Sequence, residues 1–263
     1  YMALSGDRVI APTCRSTPSV FNLIDGKSLR SGLYECAGTY VVVDGTRILA
    51  KASRRGWSLN VAGTRYIHPA RFAVFREGIG YFLSNSGMQA IRFDDYPEKA
   101  SAAQELEKKL KDGQRLLTNL EREKREDTAE FKKQQEVNNT IKNELDKVSV
   151  ELESMKIWQT SFTDDTYRGA GRPSHAFIMA GDLLFAGHED AVVAYSAENG
   201  KEVWRADVPG EIHGLAVSDG CLYVSSNNGA VHCFTAKPVK AREEKRLVKN
   251  APDERQFNHP FVQ

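Results

Sequence analysis

The sequence predicts an all-β protein. The expected architecture is a β-propeller of about five four-stranded blades, or an arc of a larger propeller, with an inserted antiparallel α-helical coiled-coil hairpin. Three observations carry this reading. One phrase is written twice between residues 179 and 236: an apolar run, a Gly-Asp or Asp-Gly turn, a second apolar run, a polar turn and a third strand. The phrase recurs with a period near 39 residues. A stretch without strand signals breaks that period once.

The two clear copies are MAGDLLFAGHEDAVVAYSA, residues 179–197, and VSDGCLYVSSNNGAVHCFTA, residues 217–236. Gly181 and Gly220 hold equivalent places, 39 residues apart. LSGDRVIA around Gly6, VVDGTRILA around Gly45 and FREGIGYFL around Gly78 are weaker copies, at intervals of 39 and 33 residues. In the last copy, residues 215–217, 221–225 and 230–234 read as strands joined by Asp219-Gly220 and Asn228-Gly229. Both dipeptides favour tight hairpins because Gly and Asn tolerate positive φ. In the preceding copy, residues 197–201 form the next turn, and residues 202–206 add a fourth strand holding Trp204, an aromatic placed to pack between blades. The repeat signature is therefore Gly181, Asp182, Gly200, Lys201, Trp204, Asp219, Gly220 and Gly229.

The interruption covers residues 98–156, rich in Lys, Glu, Gln and Leu; without it the long interval returns to 44 residues. Ala103, Leu106, Leu110, Gly113, Leu117 and Leu120 step by 3 and 4, as do Ile141, Leu145, Val148, Leu152 and Met155. That is the spacing of a coiled-coil seam. One straight helix would hold the flanking strands far apart, so two arms folding back near residues 127–131 and projecting about 45 Å fit better than a rod joining two lobes. The arm reads either as a docking lever or as a spacer with a solvated face. The expected organisation is N-terminal blades in residues 1–97, the hairpin in 98–156, C-terminal blades in 157–236 and a charged linker or tail in 237–263.

Composition fits a folded chain: 263 residues, 41% hydrophobic, net charge +1. That charge gives no reason to expect nucleic acid, and no run of about 18 apolar residues spans a membrane. Beginning at Tyr1, the chain reads as a mature or excised segment, so a missing signal peptide says little about compartment.

The run GDLLFAGHEDAVVAYSAENGKEVW, residues 181–204, resembles the repeat of PQQ-like β-propellers: an apolar strand, a short polar turn, V-x-A-x-x-A, then G-K and an apolar residue before Trp. VSDGCLYVSSNNGAVHCF resembles it equally, and VFNLIDGKSLR, residues 20–30, matches its later part with Leu29 and no Trp. The resemblance implies a propeller more firmly than a chemistry, because the family holds both quinone-dependent dehydrogenases and non-enzymatic members such as the outer-membrane assembly lipoprotein. Five repeats are fewer than the roughly seven or eight usual in that family, so an arc, with its remaining blades in a longer parent chain, is favoured over an unusual five-bladed ring. A periplasmic or cell-envelope location is implied by the resemblance alone.

A quinone enzyme needs a polarising cation, a carboxylate base and a ring of aromatic and Arg contacts. The adjacent-cysteine pair common in the family's dehydrogenases is absent, as are C-x-x-C-H and G-x-S-x-G. Asp164, Asp165 and Glu211 read as ordinary loop acids. His175, His188, His213 and His232 show no metal spacing. With Asn228-Gly229 as a two-residue turn, Val224 faces Cys233, and Cys221 falls on the opposite face. Cys14 and Cys36 leave a disulfide open, with buried free thiols the default. The loops at residues 54–57 and 167–172 are cationic but lack a phosphate-cradling context. In the tail, residues 241–249 read as a short helix, and Phe257 and Phe261 dock on the propeller or on a partner.

The expectation is thus a non-catalytic propeller scaffold for a protein partner, with the arm as docking element, no cofactor and no metal. One alternative is a PQQ- and calcium-dependent oxidoreductase with its catalytic blades elsewhere. Another is a carbohydrate-binding propeller, with Trp57 as first suspect.

Overall fold

Glycines at positive φ turn the first strand of each meander back into the second. Gly6, Gly78, Gly181 and Gly220 lie at φ +58, +76, +57 and +75°, and Glu77 and Asp219 share the left-handed region with the glycines that follow them. The computed structural model describes residues 2–13, 16–29, 41–45, 47–51, 59–61, 67–84, 86–162 and 176–235. Cys14, Cys36, Trp57, Asp164, Asp165, His175, Phe257, Phe261, the cationic loops and the tail lie outside them.

Antiparallel meanders follow in chain order. The first sheet is β1 (Ala3–Ser5), β2 (Arg8–Thr13), β3 (Ser16–Asn22) and β4 (Ser28–Leu29). The second is β5 (Val41–Asp44), β6 (Arg47–Lys51), β7 (Leu59–Val61) and β8 (Ile67–His68). The third is β9 (Phe72–Arg76), β10 (Ile79–Leu83), β11 (Gly87–Arg92) and β12 (Lys156–Ser161), with both helices between its last two strands. The fourth joins β13 (Phe177–Ala180), β14 (Leu183–Gly187), β15 (Glu189–Ser196), β16 (Glu202–Ser218), β17 (Cys221–Ser226) and β18 (Val231–Thr235). Strand β16 serves two meanders: residues from Glu202 to Asp207, and Glu211 past an irregularity, pair with β15, and Ile212–Ser218 pair with β17. Between these halves Gly210 sits at φ +90°.

Alternating side chains bury both faces of the central sheets. Ile48 and Ala50 of β6 face Ile10 and Val20 of the first sheet, while Leu49 between them faces Phe82, Ile91 and Phe93 of the third. Leu184 and Ala186 of β14 join Tyr81, Leu83 and Met88; Phe185 joins Ile212, Leu222 and Val224. Sheets stacked face to face bury apolar surface that no single meander could bury alone. The first strands touch in chain order, β1 with β5, β5 with β9, β9 with β13 and β13 with β16. This is the inner-strand succession of a β-propeller.

Helix α1 (Tyr96–Arg122) starts two residues before the expected boundary, with Pro97 in its first turn, where a missing N–H costs nothing. Helix α2 (Ala129–Met155) is capped by Thr128, whose hydroxyl accepts from Phe131 N–H at 3.3 Å. The reversal therefore lies in residues 123–128, earlier than the expected 127–131, because the cap starts α2 at Ala129. The helices run antiparallel in contact: Lys99 pairs with Glu151 at the base, and Gly113 packs against Asn138 and Gln134 midway. Tyr96, Ala100, Leu152 and Met155 seat the base on the core around Phe93. Arg47 of the second sheet donates to Phe93 O at 2.8 Å and pairs with Glu98 at 3.3 Å.

In α1, Leu106, Leu110 and Leu117 are half-buried and Leu120 is buried; in α2, Ile141, Leu145, Val148 and Leu152 are half-buried. Phe131, Gln134 and Asn138 extend the same face of α2 toward the tip. A Cβ at Gly113 would meet Asn138 Oδ1 at 2.0 Å and Gln134 Nε2 at 2.7 Å. Gly113→Leu is therefore expected to part the helices at a cost of about 1–3 kcal/mol. The check is circular dichroism at the helical band, which should lose its transition at a lower temperature while the strand core melts unchanged.

Candidate functional site

The repeat signature is a docking motif between sheets. In the turn after β15, Ser196 N–H donates to Lys201 O at 2.8 Å, Gly200 N–H to Ser196 O at 2.8 Å, and Ala197 N–H to Asp182 O at 2.9 Å. The first sheet repeats all three bonds: Asn22 to Lys27 at 2.9 Å, Gly26 to Asn22 at 3.0 Å and Leu23 to Asp7 at 2.7 Å. Lys201 is exposed and serves this turn through its backbone. Gly200, at φ +71°, is required twice over: its backbone is left-handed, and a Cβ there would meet the Trp158 ring at 2.6 Å.

Trp158 comes from β12 of the preceding sheet. Its indole N–H donates to Ala197 O at 2.8 Å, and its ring lies 6.2 Å from Tyr81. From the same sheet, Arg76 donates to Gly181 O at 2.6 Å and Asp182 Oδ1 at 3.0 Å. Gly181, Asp182 and Gly200 thus gather where one sheet grips the next. Sequence reasoning missed Trp158, although K-I-W copies E-V-W around Trp204. Trp158 pairs with Ala90 and Trp204 with Ala194, and each ladder is irregular just before the Trp. The extra residues Ile157 and Val203 are exposed, as expected of bulges that re-aim the side chain that follows.

Trp204 occupies the second copy of this position in a different setting. Its ring meets Phe234 edge-on, 5.2 Å between centroids, and it remains 37% exposed. Beside it runs an apolar groove of about 580 Å³, lined among others by Leu183, Phe185, Leu222 and Phe234. Asp219-Gly220 and Gly181 form turns at this end of the sheet, and Gly220 and Gly181 line the groove. Glu202 and Arg205 pair bidentately nearby, at 2.9 and 2.8 Å, which holds the Glu202 carboxyl below its ordinary range. Exchanging the ring by Trp204→Ala should shrink the groove's apolar wall and, because the ring is partly exposed, lower stability by less than the same change at Trp158.

Polar groups are buried elsewhere in the stack. His68 is 1% exposed, stacked on Phe82 at 3.8 Å, with Nε2 2.9 Å from the Gln89 amide. His188 is buried, its Nε2 3.3 Å from the Tyr195 hydroxyl, and burial pushes that phenol's pKa up. Glu211 lies 3.6 Å from His213. His232 lies on β18, stacked with Phe234. Among the described residues no three His, Cys, Asp or Glu side chains gather as a metal-ligand set.

The last hairpin corrects the expected register. Ser226 N–H donates to Ala230 O and Gly229, at φ +82°, closes the loop, so three residues, 227–229, lie between the paired ends. That extra residue slides the pairing by one: Val224 faces His232, and Tyr223 faces Cys233. Cys221 and Cys233 therefore share a face instead of lying on opposite ones, because a one-residue slip moves every side chain across the sheet.

The geometry defines a β-propeller repeat protein whose third sheet carries a helical arm where the first and fourth sheets turn tightly. Residues 148–241 match the family model for outer membrane protein assembly factor BamB, and PQQ-like repeats are thereby recognised over the two best copies. No curated protein matches the sequence. Among solved structures, BamB from Moraxella catarrhalis is similar at 13% identity and TM-score 0.43, covering 92% of this chain and 70% of that one. Hsv2 from Kluyveromyces marxianus is similar at 8% identity and TM-score 0.49, covering 92% of this chain and 60% of Hsv2. The computationally designed Ika4 protein is similar at 9% identity and TM-score 0.35, covering 89% and 88%. No helix among the described residues is long and apolar enough to cross a membrane.

Proposed function

We propose that the chain is a non-catalytic, PQQ-like propeller arc of about five blades that holds protein partners, with the antiparallel coiled-coil arm as its docking element. The observation that carries this is the place of the arm. It leaves the third sheet between β11 and β12, where the first and fourth sheets make their short Gly-Lys turns, and Phe93 N–H still donates to Gly78 O at 2.7 Å as the strand ends. An insertion at that turn adds surface while only its base, through Tyr96, Ala100, Leu152 and Met155, joins the core. Val137 and Val150, 41% and 70% exposed, give the arm apolar points of contact. The groove beside Trp204 supplies a second apolar surface, and aromatic-lined grooves are favoured protein-binding features. The match at residues 148–241 to the model of an outer membrane protein assembly factor supports a cell-envelope setting and a role in holding other proteins.

The test replaces residues 97–155 with the turn sequence of residues 197–201 and compares capture of partners from a cell-envelope extract. The shortened chain should keep its strand signature and lose a partner that the full chain retains. Equal capture by a folded, armless chain would refute the docking role. Titration with PQQ and calcium separates the oxidoreductase alternative: the scaffold reading expects no saturable binding and no gain in melting temperature.

A further inference from the structure

The corrected register places two thiols side by side. Because Ser226 N–H donates to Ala230 O, the alternation of an antiparallel ladder makes Tyr223 with Cys233, and Cys221 with Thr235, non-hydrogen-bonded pairs. In such pairs side chains lie closest, and the right-handed twist of the hairpin draws Cys221 toward Cys233 across the diagonal. Tyr223 stands directly opposite Cys233 on the face that Cys221 shares. Cys233 is exposed and Cys221 half-exposed. Strand β18 pairs only with β17 among the described residues, so it can shift without breaking a second ladder.

We propose that Cys221 and Cys233 form a dithiol site whose substrate is a small-molecule disulfide, and that exchange closes it into a cross-strand disulfide. Cys221, as thiolate, attacks one sulfur of the small disulfide and expels the other as a thiolate, which takes up a proton. Cys233 then gives up its proton to solvent, and its sulfur attacks Cys221 Sγ, releasing the second small thiol. Two protein thiols are oxidised by two electrons, and one small disulfide is reduced to two thiols. Local desolvation, and after it the neighbouring Cys221, hold the Cys233 thiol above its ordinary pKa. Cys233 therefore keeps its proton during the first attack and acts second. Closure across a diagonal strains the bond, and strained, exposed disulfides are readily reduced, so the site opens and closes with the surrounding thiol poise.

The experiment equilibrates the full chain with mixtures of oxidised and reduced glutathione, quenches in acid, alkylates and maps the peptide spanning both cysteines. The expected product is that peptide, two hydrogens lighter and closed to alkylation, restored by dithiothreitol. Cys233→Ser should instead accumulate glutathione on Cys221. The proposal is overturned if, in chain shown folded by circular dichroism, both thiols stay alkylatable in every mixture. It is equally overturned if wild-type chain retains glutathione on either cysteine without closing, or if either pairs with Cys14 or Cys36.

Discussion

Trp158→Ala is expected to lower stability by about 3–5 kcal/mol, the range for removing a large aromatic from a packed site. The ring touches Gly200, packs with the core formed by Tyr81, Leu83 and Tyr195, and its N–H bonds Ala197 O. Truncation therefore leaves a cavity between two sheets and a carbonyl without its donor, two costs that add. Trp158→Phe keeps much of the apolar contact and loses the bond, so it should fall between alanine and wild type. Urea unfolding of the three chains is the check. A Trp158→Ala midpoint within error of wild type would show that the turn does not depend on the ring.

Stability should also fall steeply in mild acid because of His68. Burial against Phe82 lowers its pKa from 6.5 to about 3. Above pH 6.5 the ring is neutral in both folded and unfolded chains, and the full stability is present. Below that pH the unfolded chain binds a proton that the folded ring refuses, so stability is lost progressively as pH falls from about 6.5 toward about 3. The slope approaches about 1.4 kcal/mol per pH unit, and the whole loss about 5 kcal/mol. His68→Gln keeps an acceptor for Gln89 and has no proton to bind, so its unfolding midpoint should vary less over this window. An identical pH profile in both chains would place the acid sensitivity elsewhere.

Much of the architecture could be read because it rests on backbone rules. Gly181 and Gly220 announce the repeat because turns need residues that tolerate positive φ, and two equivalent turns 39 residues apart reveal a period without any contact being known. Side-chain docking was less legible. Trp158 follows Met155, the last apolar residue of the helical pattern, so its kinship with Trp204 was hidden by the arm's own periodicity. Toward the tip of α2, Gln134 and Asn138 occupy the inward face, and a search for apolar steps passes over polar residues that pair with each other, as these do at 2.8 Å. The sequence Ser-Asn-Asn-Gly allows a loop of two or three residues, and only the fold chooses. That choice decided whether Cys221 and Cys233 share a face. The groove beside Trp204 is formed by residues from β13 to β18, a long-range gathering that no local pattern encodes.

The central claim is that the arm and the groove hold a protein. The most direct measurement places a photo-crosslinking residue at Val150 on the arm, at Val217 in the groove, or at exposed Ser86 as control, and irradiates the chain in its native cells. The account predicts a discrete protein adduct from Val150 and Val217 that Ser86 does not give. Adducts absent from both positions, or the same from all three, would contradict it.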